Sequence, residues 1–152
     1  SRPRTPPNLI SRRRLLCGMA TTAVCAPGLA PTAAGAASPL VFDAATKKAF
    51  AAFTAGDYSR AEHEWREVST AFPNEPLVWI NFGTCLVILA SDEMTLGVKP
   101  EGRAAERLHE ALSAFDAAER LGSSDALLLN SRGNALGLLQ QWGEARAAYE
   151  AS

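Results

Sequence analysis

The chain has 152 residues, 47% of them hydrophobic and 20% charged, a composition that suits one globular domain with a real core. Its net charge of -1 is unevenly placed. Before Asp43 there are five arginines and no acid; the remainder holds all 16 acids against 10 Lys and Arg, a net of -6. A body of that sign argues against nucleic acid as a partner, because phosphate binding needs clustered cations.

Residues 1–37 read as a targeting segment, disordered and removed, and not as part of the fold. Ser1 to Ile10 is rich in Ser, Thr, Pro and Arg, which suits the tail of an organellar transit peptide. Ser11-Arg12-Arg13-Arg14-Leu15-Leu16 then resembles a twin-arginine export signal, with Arg12 and Arg13 as its pair. The weakly apolar stretch after it is broken by Gly18, Pro27 and Gly28 and falls short of the ~20 apolar residues of a spanning helix. Ala34-Gly35-Ala36 offers a signal peptidase small residues at Ala34 and Ala36, with cleavage near Ala36 or Ala37. A transit-like stretch ahead of a twin-arginine signal is the bipartite arrangement of proteins sent to the chloroplast thylakoid lumen. The same residues also fit a bacterial export signal with an extended start, leading to the periplasm, or a tail with a chance arginine run. Leu15-Leu16-Cys17-Gly18 lacks the preceding apolar run of a lipoprotein box. Cys17 and Cys25 fall in the removable segment. Cys85 alone is left, too few for a disulfide or a zinc site, and it sits in an apolar helix where a small buried thiol is expected.

From residue 42 onward the chain predicts helix pairs. In 42–75, Gly56-Asp57-Tyr58 marks a turn, and Ala61, Trp65, Val68 and Pro73 follow at the spacing of the second helix of a tetratricopeptide repeat. That 34-residue pattern puts small residues at its positions 8 and 20, so that the two helices approach closely, and an aromatic at 24. Ala49, Ala61 and Trp65 take these places, although the first helix is degenerate elsewhere. Pro73-Asn74-Glu75-Pro76 ends the pair.

The second pair spans 76–125. Trp79, Phe82, Gly83 and Leu86 fit its first helix, and Ala111, Phe115 and Ala118 fit its second. The second helix arrives 16 residues later than the period allows, which implies an insertion at about 91–103. Pro100 suits the first turn of the helix that follows, and Gly122 a left-handed helix end. The third pair, 126–152, has Gly133, Leu136, Ala145 and Tyr149 in register and is cut short at Ser152, which implies that the natural chain continues. The fold class is therefore all-α, a tetratricopeptide-repeat helical solenoid of antiparallel pairs.

Leu129-Asn130-Ser131-Arg132-Gly133-Asn134-Ala135-Leu136, with Trp142-Gly143-Glu144-Ala145 and the insertion after Trp79-Ile80-Asn81-Phe82-Gly83, resembles the thylakoid-lumen tetratricopeptide proteins of plants and algae. The resemblance implies a non-catalytic protein–protein interaction scaffold in the thylakoid lumen, serving assembly or maintenance of photosynthetic complexes. It implies a protein or peptide partner, attachment to the thylakoid membrane that is peripheral at most, and no transmembrane helix in the mature form. Two other readings stand beside it: an exported periplasmic structural subunit, and the non-catalytic part of an enzyme that continues past residue 152.

In this type of fold a concave groove is lined by the first helix of each pair. The candidate peptide-groove residues are Phe50, Phe53, Ile80, Thr84, Val87, Asn130 and Asn134, with Asn130 and Asn134 one turn apart and able to hydrogen-bond a peptide backbone. Chaperone-binding repeats hold a terminal carboxylate with Lys, Arg and Asn. The matching positions are Thr46, Phe50, Asn81, Leu127 and Ser131, so only Asn81 fits and the clamp is not expected. No catalytic, cofactor or metal residues are expected. His63-Glu64 and His109-Glu110 each lack the second His of a zinc-protease motif, and no glycine loop or nucleophile–base pair occurs. Glu62, Glu64 and Glu67 read as a solvated helix face.

Overall fold

A computed structural model describes residues 39–94 and 98–152. Arg12, Arg13, Ala34 and Ala36, expected above to serve targeting, lie with the rest of 1–37 outside the described residues. Among those described there are six α-helices and no strand: α1 Pro39–Thr54, α2 Tyr58–Ala71, α3 Pro76–Glu93, α4 Gly102–Arg120, α5 Ala126–Leu138 and α6 Trp142–Ala151.

The helices form three antiparallel hairpins, α1/α2, α3/α4 and α5/α6. Side-chain pairs show the direction. In the first hairpin Phe42 meets Phe72, Phe50 meets Trp65 and Phe53 meets Tyr58, all edge to face with ring centroids 5.0, 4.9 and 5.3 Å apart. Partner numbers fall along α2 as they rise along α1. The same opposition relates Gly83 to Phe115 and Glu93 to Arg107, and then Gly133 to Tyr149 and Gly137 to Trp142. Between hairpins, α2 and α4 run the same way, since Glu62 pairs with Arg107 and Arg66 with Glu110.

The turns follow from local chemistry. Asp57 caps α2 by accepting a hydrogen bond from the Arg60 N–H at 3.1 Å. Gly56, at φ 78°, lets the Asp57 N–H reach back to the Ala52 carbonyl at 3.0 Å. The corresponding turn between α5 and α6 has the same closure, the Gln141 N–H on the Leu136 carbonyl at 2.9 Å. There Gln140, at φ 61°, takes the left-handed place of glycine. Trp79 donates its indole N–H to the Pro73 carbonyl at 2.8 Å and so fixes the step from α2 to α3.

Helix α3 is the centre of the molecule. Apolar residues occupy nearly every position of Val78–Ala90, and all but Trp79 and Ile88 in that span are buried. A helix apolar all round has to be covered all round. Hairpin α3/α4 closes tightly because Gly83 has no Cβ: a methyl there would lie 2.5, 2.9 and 3.0 Å from ring atoms of Phe115, which is itself fully buried.

The expected insertion at 91–103 is helical at both of its ends. Residues 91–93 extend α3, and α4 starts at Gly102. The added sequence lengthens a helix at each of its ends, and Arg107 of α4 donates to Glu93 at the end of α3. Pro100 is also placed differently from expectation. It is buried but precedes the helix, whose N-cap is Glu101. Gly122 has the expected left-handed conformation, at φ 86°.

Three substitutions test this packing and its turns by thermal unfolding of the full chain. Gly83→Ala lowers stability, because overpacking a full site costs about 1–3 kcal/mol and outweighs the gain of up to about 1 kcal/mol in helix propensity. Gly143→Ala in α6, where a Cβ meets nothing within 4 Å, does not lower it. Gln140→Gly raises stability by about 1 kcal/mol, the cost of a side chain in the left-handed region; a lower melting temperature would contradict this.

Candidate functional site: the first-helix layer and Asn81

The first helices of the hairpins, α1, α3 and α5, carry every candidate groove residue. Helices α3 and α5 are joined through Thr84, whose hydroxyl lies 2.8 Å from the Ile80 carbonyl and 3.2 Å from the Ser131 hydroxyl. The structure separates the seven candidates. Phe53, Ile80, Thr84 and Val87 are buried, at 5, 2, 2 and 7% exposure. They are packing residues and offer no open groove surface, which corrects their expected role. For Ile80, Thr84 and Val87 the reason is that the neighbours of α3 cover it on all sides, and Phe53 of α1 is covered edge-on by Tyr58.

Phe50, Asn130 and Asn134 are half-buried and remain accessible. Phe50 is held edge-on by Trp65. Asn134 accepts a hydrogen bond from the Tyr149 hydroxyl at 2.7 Å, so one of its amide atoms is already engaged. Burial pushes the Tyr149 phenol above its ordinary pKa.

Asn81 stands apart. Its side chain is 2% exposed, and neither Oδ1 nor Nδ2 has a hydrogen-bond partner. Leu77, Asn81 and Ile88 recur at intervals of four and seven on one stripe of α3. Leu77 is 51% exposed, so this stripe combines an open apolar side chain with an unanswered amide. A buried amide without partners costs about 1–3 kcal/mol and calls for a reason. Residue comparison had marked Asn81 as the lone match to a carboxylate clamp; its unpaired state depends on packing and has no sequence signal. The other clamp positions, Thr46, Phe50, Leu127 and Ser131, carry no cation, and Ser131 is buried.

Sequence reasoning missed a chain of ion pairs across α2, α3 and α4. Arg66 grips Glu110 with both terminal nitrogens, at 2.6 and 3.1 Å, and also donates to Glu62 at 3.1 Å. Arg107 donates to Glu62 at 3.2 Å and to Glu93. The four-residue spacing of Glu62 and Arg66 was the available signal. Glu62 is therefore not part of a purely solvated face, whereas Glu67 is exposed and Glu64 lies 3.9 Å from Arg60. His63 and His109 are exposed.

Cys85 is buried and free, and its thiol donates to the Tyr58 carbonyl at 3.3 Å. Burial, with a smaller contribution from Glu62, pushes the thiol up to about 12. Among the described residues no three His, Cys, Asp or Glu side chains gather as a metal would require, and no helix is long and apolar enough to cross a membrane.

Comparison with known proteins gives no match to a family model and none to a curated protein sequence.

The amide yields a test. Asn81→Leu keeps the branched shape with bulkier methyl groups and removes two unpaired polar atoms, and relief of the stranded amide outweighs the added bulk, so the urea midpoint rises, by about 1 kcal/mol in unfolding free energy, with the helical circular dichroism unchanged. A fall in stability would show that the amide has a partner in the folded chain.

Proposed function

We propose that the protein is a non-catalytic interaction scaffold of the tetratricopeptide type that holds an extended polypeptide along the layer of α1, α3 and α5. The observation that carries this reading is the unpaired amide of Asn81 beside the exposed Leu77. A peptide backbone presents one carbonyl and one N–H in reach of each other, the complement of an Asn side chain. Because the amide is sealed, a ligand reaches it only by displacing neighbouring side chains, which gives a dry contact of high value. Leu77, one turn away on α3, supplies accessible apolar surface, Phe50 and Asn130 are accessible on the other first helices, and the uncharged clamp positions favour an internal segment over a free C-terminus. The small-residue and ring pairing within the hairpins supports the repeat type. The Arg12-Arg13 signal and the resemblance to lumenal repeat proteins support the thylakoid lumen as its compartment and photosynthetic assembly as its setting.

A specific observation favours a second reading, a structural subunit docked by its last hairpin. Trp142 is 62% exposed and Tyr149 41%, both on α6.

A selection of random displayed peptides against the full chain, followed by titration calorimetry, separates the two. On the first reading Leu77→Glu and Phe50→Glu weaken a selected extended peptide roughly tenfold or more, while Trp142→Glu leaves it unchanged. Leu77 is exposed, so its variant keeps the fold even if the Phe50 variant loosens the Trp65 contact. Loss of binding in Trp142→Glu alone would replace the first reading with the second.

A further inference from the structure

Hairpin α1/α2 meets the rest of the molecule through a strongly charged seam. The apolar stripe of α2, Ala61, Trp65 and Val68, is buried, and the Trp65 ring packs on Phe50 within its own hairpin. The flank beside that stripe carries Tyr58, Glu62, Arg66 and Ser69 at helical spacing. From this flank the ion pairs run unbroken into hairpin α3/α4 with alternating sign: Glu110, Arg66, Glu62, Arg107, Glu93. The Arg66 guanidinium also lies 5.0 Å over the Phe82 ring of α3.

The five side chains are unequally shielded. At the two ends, Glu110 and Glu93 are each 39% exposed, and Arg66 is 45% exposed. In the middle, Arg107 is 13% and Glu62 is 19% exposed. Mobile ions screen exposed pairs strongly and shielded pairs little. Among the described residues Glu62 is the acid that touches both arginines. Without it, each arginine keeps a single, exposed, screenable partner, and Arg107 is left shielded with half its compensation.

We infer that this seam is an electrostatic hinge: hairpin α1/α2 parts from α3–α6 as a unit when the ion chain weakens, with Glu62 as the joint that holds it closed. The angle between the first helices, and so the shape of the layer they form, then depends on ionic strength. The hinge goes beyond the peptide-binding reading and stands without it. The molecule contains its own reporter of opening. Cys85 of α3 donates its thiol to the Tyr58 carbonyl of α2 across the same seam and is fully buried while the seam is closed. Its labelling rate measures the open fraction.

The test uses the full chain with Cys17→Ser and Cys25→Ser, so that Cys85 is the one reactive thiol. Iodoacetamide labelling is followed at low salt and at about 0.5 M NaCl, where the Debye length falls to a few ångströms. The hinge predicts several-fold faster labelling at high salt. Glu62→Gln labels roughly tenfold faster at low salt and still accelerates with salt, because the exposed end pairs that remain are the screenable ones, and Arg107→Met also labels faster at low salt. Hydrogen exchange of α5 and α6, measured in parallel, stays slow throughout, which distinguishes hinge opening from global unfolding. Labelling that ignores both salt and Glu62→Gln overturns the inference, as does labelling that accelerates together with exchange in α5 and α6.

Discussion

In each hairpin a residue with little or no side chain faces the partner helix. Gly83 faces the ring of Phe115 and Gly133 that of Tyr149, each at a distance where an added carbon would collide. The second helices answer with Ala61, Ala111 and Ala145, all buried. Close approach of two helix backbones is possible only at such sites, and the aromatic ring then fills the space that the missing side chain leaves. The burial of α3 follows from this approach, because Phe115 fits only where Gly83 yields. The layer of first helices, with Thr84 bonded to Ser131, is in turn set by how closely each second helix sits behind it. The degenerate first hairpin has Ala49 in the corresponding place and compensates with three edge-to-face ring pairs.

The hairpins and their turns were legible in the sequence because each rests on local chemistry. Gly56, Asp57, Gly122 and Pro73 act on neighbouring backbone, and the small and aromatic positions recur at a period that can be counted. The lengths of α3 and α4 were less legible. A strict period assigns the extra residues after Ala90 to an insertion, whereas Ser91-Asp92-Glu93 simply continues a helix already anchored by its apolar face.

The site was legible in part. Phe50, Asn130 and Asn134 were placed on an accessible layer by register alone. Phe53, Ile80, Thr84 and Val87 have the same register and are buried, because exposure depends on how far neighbouring hairpins close over a helix, and no single-helix pattern contains that distance. The Glu110-to-Glu93 ion chain was hidden for the same reason: its members come from three helices, and only one link lies within a helix. The want of a partner for Asn81 is likewise a property of its surroundings and not of its own position.

The three tryptophans happen to be distributed one to a hairpin, and no two share an environment. Trp65 is sealed at 1% exposure against Phe50, Trp79 is half-buried with its indole N–H bound to a carbonyl, and Trp142 is largely in water. Indole emission shifts to longer wavelength as the ring meets solvent, so the folded chain carries a blue, an intermediate and a red fluorophore in chain order. Each hairpin thereby has its own optical signature, and the loosening of one can be followed in the native protein without an added label.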